Sequence, residues 1–391
     1  MALSKIDIEN MVTGETPVAN GGTGQSTLAA AGLQRPSSKP IIINGDMAIA
    51  QRSTSVTGIT SDGYQTCDRI RPSFTGGGIG TYTFIQESLT SGNAFANGFT
   101  KAFRLDCTTA DASPAAGDYF YLAYKIEGNN LQAFKKGTAN AQKMTLAFWV
   151  KSNKTGTAQV NMNDQDNTRM CSGTYAISSA DTWEHKVINI AADTTGAFGN
   201  DTGNSMQIEW WLDGGSNFQG GAVPTAWEAR SNTDRGVSDL AIADSTSNDF
   251  AITGIQLEVG EYTSSTLPAF QHESYGDNLA RCQRYYYLHA SGNQISLGRG
   301  GYYSSSQVGC SFEPPVTMRT SPTLEIASAS NYYIVHRNGG NDACDDFALN
   351  DEATAASVTF YNNTDMSGTA GHAIHATTNN ASAKFALTAE L

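Results

Sequence analysis

Charge is scarce in this chain of 391 residues. Charged side chains make up 16% of it, against about 25% in an average soluble domain. What charge there is has one dominant sign, with a net value of −13, and no run of Lys or Arg appears. Such a chain repels polyanions, which excludes nucleic acid as a general partner. Proline is sparse, with 10 residues, so a collagen-like rod is excluded. No stretch approaches the roughly 20 apolar residues of a membrane-spanning helix, so membrane insertion is not expected. Met1–Ile8 has no basic start leading into an apolar core, and no secretory signal is expected from it. The six cysteines are widely spaced and form no CxxC pair, which argues against a structural zinc site and a disulfide scaffold. They read as small buried hydrophobes, with a Cys107–Cys171 bridge as the alternative. Catalytic signatures are missing too: there is no GxSxG, HExxH or P-loop. The chain is expected not to be an enzyme.

What is present is Gly, Ser, Thr and Asn around short apolar alternations. Hydrophobic residues make up 39% of the chain, enough for real cores. Residues 1–40 form a polar, glycine-rich arm ending in the extended linker Arg35–Pro40. With no core of its own, the arm must borrow one from a partner. From residue 41 to 272 the apolar period is two, the mark of half-buried strands. Phe103, Leu105 and Cys107 alternate with polar neighbours, as do Phe120, Leu122, Tyr124 and Ile126, then Met144, Leu146, Phe148 and Val150. Met206, Ile208, Trp210 and Leu212 follow, then Ile255, Leu257 and Val259. So many strands with glycine-rich turns predict an antiparallel jelly-roll sandwich. Residues 273–287 break the rhythm. Ser274 is placed to cap a short helix whose Leu279, Cys282 and Tyr286 share a face. Residues 288–391 return to strand patterns and predict a smaller β-sandwich. The fold class is all-β.

Several blocks resemble a known family. Pro17-Val-Ala-Asn-Gly-Gly-Thr-Gly24 is similar to the PVxxGGTG segment of bacteriophage tail-fibre proteins. Ile42-Ile-Asn-Gly-Asp46, Gln51-Arg52, Tyr64 and Asp68-Arg69 resemble the opening of the carbohydrate-binding-like jelly rolls of such fibres. Ile252–Gly260, Phe270, Ser274-Tyr-Gly276 and Leu279-Ala-Arg-Cys-Gln-Arg-Tyr-Tyr286 resemble its close. Ile70 stands where these proteins often carry Trp. The resemblance implies a tail-fibre protein of the virion, assembled in the host cytoplasm as an intertwined homotrimer. It implies docking to tail or baseplate proteins through residues 1–40, with Pro17, Val18, Asn20, Gly21, Gly22 and Gly24 as the anchor. The outer β domains would meet host glycan or an outer-membrane component. An adaptor or head-decoration protein is the alternative, and a glycan depolymerase a more distant one.

Alternation also nominates contact residues. If Trp210 faces the core, then Trp211 faces outward beside Gln207 and Glu209, and Trp149 has the same relation to Phe148. An exposed ring beside amides and carboxylates is a sugar-stacking arrangement; packing under loops or between protomers is the plainer alternative. Trp227 falls in a loop, where contact residues concentrate. For metal, His372 and His375 stand three apart, and Asp164 and Asp166 lie in an oxygen-rich loop suited to Ca²⁺. No cofactor is required by any of this.

Overall fold

A computed structural model of the chain describes residues 39–75 and 78–391. The anchor residues Pro17, Val18, Asn20, Gly21, Gly22 and Gly24 lie outside the described residues.

The first unit contains twelve strands: β1 Ser55–Ile59, β2 Arg71–Phe74, β3 Thr81–Ser88, β4 Lys101–Thr109, β5 Tyr119–Glu127, β6 Met144–Ser152, β7 Gly156–Asp164, β8 Arg169–Ile177, β9 Glu184–Ile190, β10 Asn204–Gly214, β11 Glu228–Ala229 and β12 Asp249–Val259. One sheet runs β1-β3-β4-β12-β6-β9 and the other β11-β8-β7-β10-β5-β2. Within them, β4-β12-β6-β9 and β5-β10-β7-β8 carry the strand order of a jelly roll, and every pair is antiparallel. The alternating apolar sets converge between the sheets. Phe103, Leu105, Leu122, Phe148, Val160, Trp210 and Leu257 all belong to one core. A short helix, α1 Gly92–Ala96, lies beside the first sheet.

The helix α2 spans Tyr275–Gln283. The Ser274 hydroxyl accepts from the Asp277 backbone N–H at 3.2 Å, as a cap should. Ten strands follow: β13 Tyr286–Ser291, β14 Ser296–Ser304, β15 Gln307–Phe312, β16 Thr323–Ile326, β17 Tyr333–Arg337, β18 Gly340–Cys344, β19 Ala348–Leu349, β20 Val358–Asn362, β21 Ala373–Thr378 and β22 Lys384–Thr388. They form a three-stranded sheet, β13-β22-β16, and a seven-stranded one, β18-β17-β21-β14-β15-β20-β19. Aromatic rings fill the second core, with Phe360 and Phe385 at 5.0 Å between centroids.

Motif residues join the two units. The Asn44 amide donates to the Ile49 and Asp68 carbonyls, and its oxygen accepts from the Ile49 N–H. Gly45 passes so close to β12 that a Cβ there would stand 2.2 Å from the Ile255 carbonyl oxygen. Gln51 donates to Asp68 and to the Tyr286 carbonyl. Arg52 and Arg69 both pair with Glu390, and Arg69 stacks 3.5 Å from the Tyr285 ring centre. Arg284 holds Glu127 across the same seam. Gln51, Arg52, Arg69, Arg284 and Tyr285, all within the blocks quoted above, thus form part of the seam with the terminal sandwich. All six cysteines are buried and free, so the Cys107–Cys171 bridge is not formed.

Candidate functional site

Strand alternation placed Trp211 on the outer face of the second sheet, and it is there, but it is not exposed. Trp211 and Glu209 are both 0% exposed. Phe218 packs on the indole at 5.2 Å, with Tyr121 stacked at 5.3 Å. Arg235 closes over it, 5.2 Å from the ring, and binds Glu209 at 2.8 Å. The Trp211 Nε1–H donates to Glu209 Oε2, and Gln207 donates to Glu209 Oε1. The connection between β10 and β12 therefore covers the face that Gln207, Glu209 and Trp211 were expected to present. Asp234 and Arg235 continue the cover by accepting, through their carbonyls, from Gln159 and Asn161. Trp227 is also buried: its Nε1–H donates to the Ala191 carbonyl at 2.7 Å, and Lys136 sits 4.9 Å from the ring. Neither tryptophan offers a ring face to a ligand.

Trp149 is different. It lies half-buried on the outer face of the first sheet, in the wall of an open groove of about 370 Å³. The cross-strand register sets Trp149 opposite His185, and the rings stack at 4.9 Å. Phe99 and Phe270 meet edge to face at 5.0 Å, and His272 lies 4.8 Å from Phe270. The floor is a β-bulge in β12. Thr253 pairs with Trp149 and Gln256 with Ala147, so Gly254 and Ile255 together oppose one residue of β6. Gly254 has φ +60°, and a Cβ there would be 2.7 Å from Phe99 Cζ and 3.0 Å from Trp149 Cδ1. Any side chain at this position would press on both rings. Gln256 commits its amide N–H₂ to Glu258 and to the Pro268 carbonyl, which leaves its oxygen as an acceptor. Burial, with Lys186 beside it, holds the His185 imidazole below its usual range, so it is neutral at pH 7. No described residue hydrogen-bonds the ring nitrogens of His185 or His272.

Of the five nominated contact residues, only Trp149 lines this groove. The others that build it were not read from the sequence. Phe270 sits within a quoted family block, but nothing there marks it as a wall. His185 is found only through register, since its partner is 36 positions away on a strand whose pairing the sequence does not state.

The metal candidates are not brought together. Asp164 is fully buried and paired with the Lys136 ammonium, and it accepts from the Asn167 N–H at 3.0 Å. The site nominated for Ca²⁺ is thus held by a cation of the chain itself. Asp166 turns away to accept from the Gly199 N–H. His375 faces His336 across β21 and β17, at 6.0 Å, and not His372. Among the described residues no group of three or more His, Cys, Asp or Glu side chains is placed to hold a metal ion. No helix among them is long and apolar enough to cross a membrane.

The fold and the groove together define an antiparallel jelly-roll protein with an aromatic-walled cleft on one outer face and a second set of antiparallel sheets joined to it. Neither a family model nor a curated protein matches the chain. Among solved structures it is similar to the enzymatically active domain of bacteriophage CBA120 tailspike protein 4, at 14% identity and TM-score 0.29, over 56% of this chain and 21% of that one. It is also similar to a family 11 carbohydrate-binding module from Clostridium thermocellum, in complex with a mixed-linked tetrasaccharide, at 9% identity and TM-score 0.26, over 52% and 96%. A cyclase from Fischerella matches at 9% identity and TM-score 0.28, over 57% and 100%. The chain spans about a fifth of the length of the tailspike structure, and all three likenesses are partial.

Proposed function

We propose that this chain is a fibre-type protein of a bacteriophage tail that meets the host surface by binding glycan in the Trp149 groove. The observation that carries the reading is the groove itself. Trp149 and Phe270, backed by the buried Phe99, supply apolar ring surface, and His185, His272, Asn97 and Ser264 supply polar edges around it. Sugar rings present the matching pair of surfaces, C–H faces and hydroxyl edges. In this proposal residues 1–40 dock to tail or baseplate proteins, the particle carries the chain as a homotrimer, and the glycan is bound without turnover. The sequence blocks that resemble tail fibres support the placement on a tail.

The test uses the purified chain and bacterial cells that carry or lack their surface polysaccharide. Labelled protein is expected to bind the first and not the second. Trp149→Ala is expected to weaken binding at least about tenfold, the loss of one aromatic stacking surface, with an unchanged circular dichroism spectrum. Equal binding by the variant would remove the groove from the account. Release of new reducing ends from the polysaccharide would overturn binding without turnover. Antibodies against residues 288–391 should label phage tails in electron micrographs; label on heads would overturn the tail placement.

A further inference from the structure

We infer that the glycan taken by the Trp149 groove is an uncharged one, a neutral hexose polymer and not an acidic polysaccharide. This rests on the proposal that the groove binds glycan. The chain carries 24 basic and 37 acidic side chains, yet among the described residues that line the groove none is Asp, Glu, Lys or Arg. A carboxylate or phosphate on a sugar taken out of water needs a cation or a converging set of N–H donors, and leaving it without them costs several kcal/mol. The groove lining supplies no Lys or Arg for that purpose. Its two titratable residues are His185 and His272, and His185 is neutral at pH 7 for the reason given above.

The cations nearest along the strands are already held by carboxylates or hydroxyls. Lys151 lies 3.6 Å from Glu87, Lys186 pairs with Glu184, and Lys101 donates to Ser88. Turning one of them toward an acidic sugar would strip its present partner. At longer range the net charge of −13 opposes a polyanion. A neutral ring meets no such penalty. It stacks its C–H face on the aromatic wall, while its hydroxyls find the Gln256 oxygen, the His185 and His272 nitrogens, Ser264 and Asn97.

The experiment is a calorimetric titration of the full chain at pH 7.5 (about one unit above an unperturbed histidine) with matched neutral and acidic oligosaccharides. The panel includes glucan and galactan fragments on one side, polyuronate and sialic acid fragments on the other. The expected result is binding confined to the neutral set. Its affinity should not change between low and high salt, because no ion pair is made, and Trp149→Ala should weaken it at least about tenfold. Binding of an acidic fragment that weakens with salt and is lost in Trp149→Ala would overturn the inference while leaving the groove as the glycan site. Neutral binding that Trp149→Ala leaves intact would overturn the underlying reading, and so would an absence of binding to either set.

Discussion

Trp149 and Trp211 begin as equivalents: each follows an inward apolar residue on a long strand and each is turned to the outer face of its sheet. What separates them is what lies above. Over Trp211 stand Phe218, Tyr121 and the Arg235 guanidinium, and the carboxylate of Glu209 is 0% exposed between them. Glu209 therefore holds three partners, the Arg235 guanidinium, the Gln207 amide and the Trp211 N–H, and is a structural residue. Glu209→Ala would leave Arg235, itself only 13% exposed, without its counter-charge. The expected loss is about 3 kcal/mol of stability, seen as a lower midpoint in denaturant unfolding. A variant as stable as the parent that has lost glycan binding would restore this face as a contact surface.

At the scale of elements, alternation was enough to assign faces. Phe103, Leu122, Phe148, Trp210 and Leu257 all point into the core the sequence predicts for them, because a strand's period of two leaves no freedom once one face is buried. Cover was not legible, because burial of an outer face depends on a connection that returns from far along the chain. The segment after β10 is polar and glycine-rich and reads as a solvated loop, yet its backbone carbonyls accept from Gln159 and Asn161 beneath it and its Arg235 binds Glu209. The bulge at Gly254 left a trace that alternation alone passes over. Ile252 and Ile255 are both fully buried in the same core although three residues apart, which requires one extra residue between them. His185 and His375 show the same limit: the ring each one faces is set by cross-strand register, not by proximity in sequence.

The whole molecule is held as one piece by a seam in which residues of the family-like motifs meet the terminal sandwich. Glu390, near the end of the terminal sandwich, takes both Arg52 and Arg69 from the jelly roll. Arg319 donates to the Thr202 carbonyl on one side and to the Ala389 and Glu390 carbonyls on the other. The jelly roll was foreseeable from its strands, but the role of Gln51, Arg52 and Arg69 was not, since Tyr286 and Glu390, which they reach, lie far along the chain. Glu390→Ala is expected to uncouple the two units, so that scanning calorimetry shows the terminal sandwich unfolding in a separate, earlier transition. An unchanged thermogram would mean that Glu390 does not couple them. A rigid seam would fix the direction in which the Trp149 groove faces relative to the terminal sandwich.

The five tryptophans offer the most direct test of the account. Their indole N–H groups give separate signals in a ¹⁵N-correlated spectrum. Of these, Trp211 and Trp227 are tied internally to Glu209 and Ala191, and Trp210 is sealed in the core. With a neutral host-surface oligosaccharide added stepwise, the account predicts that the Trp149 signal moves progressively while those of Trp210, Trp211 and Trp227 stay in place. Movement of the Trp211 or Trp227 signal with Trp149 unmoved would contradict it.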